Sequence, residues 1–169
     1  MELRTELEPQ LDLAEKCYPE VLNLILEYTK FVDETGDENG EEHKNLAHKL
    51  HLLTNKEMAR FNLWEYWEEE GAEVLAFRVS LPDPLKTDQF SKAELLEVIR
   101  RLKTFEAPIG TVESFKERFK YYLADYYHQL LALNYKTYTY QLFNRQKDKK
   151  GNYFEYSVVE ICEKMSPKH

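Results

Sequence analysis

Apolar residues recur along this chain with two different periods, and that change of period restricts the folds open to it. Where they return every three or four positions, the chain favours amphipathic helices; where they alternate, it favours half-buried strands. A sequence that holds both patterns has to pack helices against a sheet around a shared core.

The helical signals come first. Thr5-Glu6-Leu7-Glu8 has the T-x-x-E form of a capping box, and Leu7, Leu11 and Ala14 follow at helical spacing, with Pro9 in the first turn, where no intrahelical bond is lost. Pro19 interrupts the pattern, so the helix is expected either to kink near Tyr18 or to restart, with Val21, Leu22, Ile25, Tyr28 and Val32 as its second stripe. A short helix is expected from Glu41 to Leu53 on Leu46, Leu50 and Leu53. Ser91-Lys92-Ala93-Glu94 opens another, carried by Leu95, Leu96, Ile99, Leu102 and Phe105 and stopped at Ala107-Pro108-Ile109-Gly110. Thr111 then caps a helix of about six turns, with Phe115, Phe119, Leu123, Tyr126, Leu130 and Leu133 on one face.

Two regions alternate instead. Leu75, Phe77, Val79 and Leu81 oppose Ala76, Arg78 and Ser80, the pattern of a half-buried strand ended by Pro82-Asp83-Pro84. Its natural partner is a strand over 60–68, joined through Glu69, Glu70 and Gly71, although Thr54-Asn55-Lys56-Glu57 also fits a helix start for the segment 54–70. Near the end, YKTYTYQLF and NYFEYSVVEI mirror each other across Arg145 to Gly151 as a second hairpin. The expectation is a single α+β domain over 1–169, with about five helices on one face of an antiparallel sheet of roughly four strands in two hairpins. Residues 33–42, DETGDENGEE, hold six carboxylates and two glycines and read as a flexible acidic loop.

Composition narrows the partners. Leu, Ile, Val and Phe make up 44 of 169 residues, above the roughly 20% floor for folded chains, so a core is expected. The net charge of −8 repels phosphate backbones and anionic lipid, so neither nucleic acid nor membrane is an expected partner, whereas a basic protein would be steered inward. No apolar run approaches the ~20 residues of a membrane span, and MELRTELEPQ has no signal-peptide form, which makes a cytoplasmic location the expectation. Cys17 and Cys162 fit neither a CxxC pair nor a zinc spacing, and are expected as free thiols. Tyr outnumbers Phe, 12 to 9, and phenols suit half-buried surfaces and interfaces.

Motifs for chemistry are sparse. Glu41, His48 and His51 could share a helix face, yet they lack the zincin spacing, and no metal or cofactor is expected. Counted from Asp33, an EF-hand register would place Glu38 sixth and Lys44 twelfth, where the loop needs Gly and Glu. There is no GxSxG, P-loop or GxGxxG; His128 with Asp125 or Cys162 could form an acid/base or thiol pair, but Asp125 and His128 are neighbours on one helix, which explains their proximity without catalysis. Lys147, Lys149 and Lys150 beside Tyr138, Tyr140, Tyr153 and Tyr156 imitate a single-strand RNA surface, but a soluble hairpin turn accounts for them more simply.

The remaining signal is acid beside large rings. Glu65, Glu68, Glu69, Glu70 and Glu73 surround Trp64, Tyr66 and Trp67, and Asp37 and Glu38 lie in the acidic loop. Carboxylates accelerate encounter with a cationic protein and aromatics supply the desolvated centre, so the expected function is a cytoplasmic protein-binding module, such as an inhibitor or immunity protein for a basic partner. The alternatives are a small-molecule or sugar-processing enzyme with a Tyr/Trp-lined cleft, and a structural homodimer joined by the Tyr-rich hairpins.

Overall fold

The computed structural model describes residues 2–87, 90–104 and 114–166, and in them the protein is mostly helical. Seven helices are present among these residues: α1 (Leu11–Thr35), α2 (Glu41–Thr54), α3 (Ala72–Ser80), α4 (Lys92–Lys103), α5 (Phe115–Phe119), α6 (Ala124–Asn134) and α7 (Val158–Met165). The strands described are β1 (Gln146–Lys147) and β2 (Tyr153–Phe154), a two-stranded antiparallel pair in register Gln146↔Phe154 and Lys147↔Tyr153. The expected α+β architecture, with five helices on a sheet of about four strands, is therefore corrected to a helical fold with one minimal hairpin.

The chain forms two compact units. One comprises Gln10–Pro82 and Ser114–Tyr122 and contains α1, α2, α3 and α5; the other comprises Met1–Pro9, Asp83–Glu113 and Leu123–His169 and contains α4, α6, α7 and the hairpin.

In the first unit, α1 packs on both α2 and α3. Its buried Val21, Ile25 and Tyr28 meet Leu46 and Leu50 of α2 and Leu75, Ala76 and Val79 of α3 in one apolar cluster. Pro19 lies within α1, which continues past it as one helix. Pro19 and Glu15, whose carbonyl loses its i+4 donor, are both on the exposed face, where water can replace that bond. Phe77 stacks flat on Phe119 of α5, centroids 4.4 Å apart, and Tyr18 and Phe115 close around that pair edge-on or tilted. Helix α3 is the expected strand, and the correction has a physical cause. Leu75, Ala76, Phe77, Val79 and Ser80 are all buried, so a helix wrapped on nearly every side shows no 3.6-residue stripe, and its apolar residues can alternate by chance. The segment 54–70, expected as its strand partner or as a helix, instead holds two single 3-10 turns, Met58–Arg60 and Tyr66–Glu68.

In the second unit, α4 packs on α6 and α7 and buries Leu95, Val98 and Ile99. Ser91 and Glu94 form the expected reciprocal capping box. The same box was expected at Thr5, but no helix starts there. Glu8 accepts the Leu3 amide and holds Arg101 of α4 through two short bonds of 2.7 and 2.8 Å, so its carboxylate is committed to an ion pair. The long helix expected after Thr111 is two helices: α5 ends at Phe119, a 3-10 turn covers Lys120–Tyr122, and α6 begins at Ala124. Ser114 caps α5 by accepting the Glu117 amide. The expected stop at Ala107-Pro108-Ile109-Gly110, the stripe residue Phe105 and the cap Thr111 lie outside the described residues. Of the second expected hairpin only the turn and two residue pairs form. Tyr140–Phe143 is a 3-10 turn, and SVVE at 157–160 is a capping box that starts α7 and so ends the strand reading.

A candidate interaction surface

The tryptophans lie where the chain leaves helical structure, between α2 and α3. Trp64 is 42% exposed and Trp67 55%, so both indoles face solvent over much of their area. Tyr66, between them, turns the other way and is buried in the apolar cluster. Its hydroxyl lies 2.7 Å from Thr29 Oγ1 of α1. Because Thr29 already donates its proton to the Ile25 carbonyl, the phenol donates here. This buried tyrosine anchors the 3-10 turn, and Trp67, edge-on to it at 5.5 Å, is displayed outward.

Trp64 is held from a second side. His43, in the first turn of α2, packs edge-on between Trp64, at 5.4 Å, and Tyr28 of α1, at 6.2 Å. The His43 backbone amide donates to Asp37 Oδ2 at 2.8 Å, and the Glu42 amide donates to Asp37 Oδ1 at 3.2 Å. Asp37 thus caps α2 from outside the helix, a task Gly40 at the N-cap position cannot perform without a side chain. Asp37 is only 7% exposed, and burial together with its carboxylate pushes the Tyr28 phenol up to about 12. The acidic stretch 33–42 is largely absorbed by its neighbours. Asp33 and Glu34 are in α1, and Glu41 and Glu42 in α2, where the helix N-terminus favours their charge; the link is 36–40.

The carboxylates around the indoles divide into two sets. Glu70 pairs with Arg78 at 2.8 Å, and Glu73 pairs with Arg118. Glu65, Glu68 and Glu69 are exposed and make no ion pair among the described residues, although Glu69 accepts from the Asn62 side chain, whose oxygen in turn takes the Glu65 amide. Glu38 is exposed beside the buried Asp37. The structure therefore brings Trp64, Trp67, Glu65, Glu68 and Glu69 onto one exposed segment, whereas Tyr66, Glu70 and Asp37 are occupied in holding that segment and α2 in place. His43 was not visible as a site residue in the sequence, since its contact joins α2 to Trp64, twenty-one residues on.

Beside this surface α1 and α2 leave a shallow groove of about 130 Å³, lined by Tyr28, Phe31 and Leu46 with Glu27, Glu42 and Lys49 at its margin. Elsewhere, His51 Nδ1 lies 2.8 Å from the Lys56 carbonyl and His48 is exposed, and no cluster of three metal-ligating side chains occurs among the described residues. His128 Nδ1 meets the Tyr138 hydroxyl at 3.0 Å among Tyr140 and Phe143, and burial lowers its pKa. Both cysteines are free thiols, and Cys162 is buried. No described helix is long and apolar enough to cross a membrane. In comparison with known proteins, the chain matches no family model, no curated protein and no solved structure.

Proposed function

We propose that this chain is a non-enzymatic binding module that captures a basic protein on the surface around Trp64 and Trp67. One observation carries the reading: two half-exposed indoles stand beside three carboxylates, Glu65, Glu68 and Glu69, that make no ion pair among the described residues. An exposed tryptophan is the side chain that contributes most when a partner dries it, and unpaired acids supply the field that draws a cationic surface in. Tyr66 and His43 hold the indoles without covering them, which reduces the ordering cost of binding. The groove beside them, at about 130 Å³, is itself well under the ~300 Å³ at which small-molecule sites begin. Inhibition of a cationic enzyme by occlusion, as an immunity protein does, is the role this surface would serve.

The test isolates partners in parallel on the immobilised wild-type chain and on the W64A/W67A double variant, then follows association of any retained protein from about 50 to about 300 mM salt. The expected result is a basic protein held by the wild type, lost from the variant, and associating more slowly as salt rises. Equal retention on both, or an association rate indifferent to salt, overturns the proposal.

A further inference from the structure

The two units differ sharply in charge. The α1 unit carries 10 Lys and Arg against 17 Asp and Glu, a net −7, while the α4 unit carries 13 against 14, a net −1. Within the second unit the hairpin turn reverses the sign locally, with Arg145, Lys147, Lys149 and Lys150 set against the single carboxylate of Asp148. Asp148 is engaged by the Lys150 and Asn152 amides and shapes the turn, which Gly151 completes at φ +88. None of the four cations makes an ion pair among the described residues. Arg145 and Lys147 instead lie over the Tyr153 ring, at 4.3 and 5.4 Å from its centre. Tyr153 is 59% exposed, and Tyr140, Phe154 and Val159 of the same unit are also exposed. This is a basic, aromatic knob.

From this complementarity we infer that the hairpin of one copy docks on the Trp64–Trp67 surface of a second copy, giving a head-to-tail self-association of the chain. The inference rests on the proposed binding surface and names one ligand for it. Arg145 and Lys147 over Tyr153, with Lys149 and Lys150 in the same turn, carry the charge opposite to Glu65, Glu68 and Glu69 beside the two indoles; none of these groups makes an ion pair among the described residues, and each patch offers the other an exposed ring for a cation. Tyr153 and Trp67 are both more than half exposed. The contact differs on its two sides, so it is heterologous and not a two-fold dimer. With only two residues per strand the knob is small, which places the contact among weak interfaces of under ~1,200 Å² with a strong dependence on salt.

Sedimentation equilibrium of the full chain, from about 5 to about 500 µM, reads this directly at low and high salt. The wild type is expected to show a rising average mass that collapses when salt is added. The charge reversals E65K/E68K/E69K and K147E/K149E/K150E, all at exposed positions, are each expected to be monomeric alone. Mixed one to one they are expected to associate again, because each reversed patch then meets its complement on the other variant. That rescue cannot come from misfolding. A wild type that stays monomeric throughout, association unaffected by either reversal, or a mixture that fails to associate overturns the inference. Retention of a basic protein by a strictly monomeric chain would overturn it while leaving the binding surface standing. A monomeric chain whose hairpin instead binds a single-stranded oligouridine probe, with loss in K147E/K149E/K150E, would overturn it in favour of a nucleic-acid contact.

Discussion

Glu97 is 6% exposed, and a carboxylate that deep has to be matched by cations. Two arginines on its own helix supply them: Arg100 through two bonds of 2.8 and 2.9 Å, and Arg101 at 3.0 Å. Arg101 also grips Glu8 and donates to the Tyr127 hydroxyl at 2.6 Å, so one guanidinium ties the N-terminal segment to α4 and α6. Hydrogen bonds from Arg100, opposed by burial and reinforced by Arg101, hold the Glu97 carboxyl at about 2, below its ordinary 4.5. A carboxyl depressed on folding stabilises fully above the unfolded value, and that stabilisation is lost as pH falls through 4.5 toward 2. Urea unfolding should therefore show a loss on the order of 2 kcal/mol over that range, largely absent in Glu97→Gln, which should itself be less stable at neutral pH by a similar amount. Asp37 gives a second prediction at this scale. Because Asp37 caps α2 through both of its carboxylate oxygens, Asp37→Asn, which keeps one acceptor and faces the second amide with a donor, should lose stability as Asp37→Ala does, each by about 1 kcal/mol in the same measurement. The sequence showed Asp37 only as one more acid in a run. What sets it apart is a bond to amides five and six residues on, and no local pattern announces that.

Helix ends were legible because their chemistry is local, while the helix and strand assignments that failed depended on burial. Ser91-Lys92-Ala93-Glu94 closes both bonds of a capping box, and the identical form Ser157-Val158-Val159-Glu160 does the same for α7, although its Tyr-rich surroundings read as strand. Thr5-Glu6-Leu7-Glu8 has the same form and fails because Arg101, ninety-three residues away, takes the glutamate. A capping box is thus a reliable start only where its acid has no stronger partner. Ser91→Ala and Ser157→Ala should each lower the urea midpoint by an amount equivalent to about 1 kcal/mol, and Thr5→Ala should leave it within about 0.3 kcal/mol, because the Glu8 amide that a Thr5 cap would take bonds to the Arg4 carbonyl. The strand expectation at 73–81 failed for the converse reason: α3 is enclosed on nearly all sides by α1, α2 and α5, so burial erased the period that identifies a helix. The indoles were found in the sequence by composition, yet their exposure follows from the 3-10 turn that Tyr66 anchors, not from the hairpin on which they were expected.

At the scale of the whole molecule, a net charge of −8 says less than where it resides, and the α1 unit holds −7 of it. Both tryptophans of the chain belong to that unit, which makes their fluorescence a local voltmeter for the surface. An ionic quencher reaches an indole in proportion to its concentration at that point, and negative potential enriches cations and depletes anions. With Glu65, Glu68 and Glu69 in no ion pair among the described residues and beside exposed Trp64 and Trp67, cesium should quench the emission more strongly than iodide, once each is scaled to its efficiency on free tryptophan. The ratio is expected to be about two or more at ionic strength near 0.05 M and to approach one near 0.5 M, where the Debye length falls to a few ångströms. E65K/E68K/E69K should invert the preference while leaving quenching by neutral acrylamide unchanged, which separates potential from exposure. If iodide and cesium quench the wild type equally at low salt, the carboxylates do not act on the indoles, and the electrostatic basis for capturing a cationic partner is lost even with both rings fully accessible.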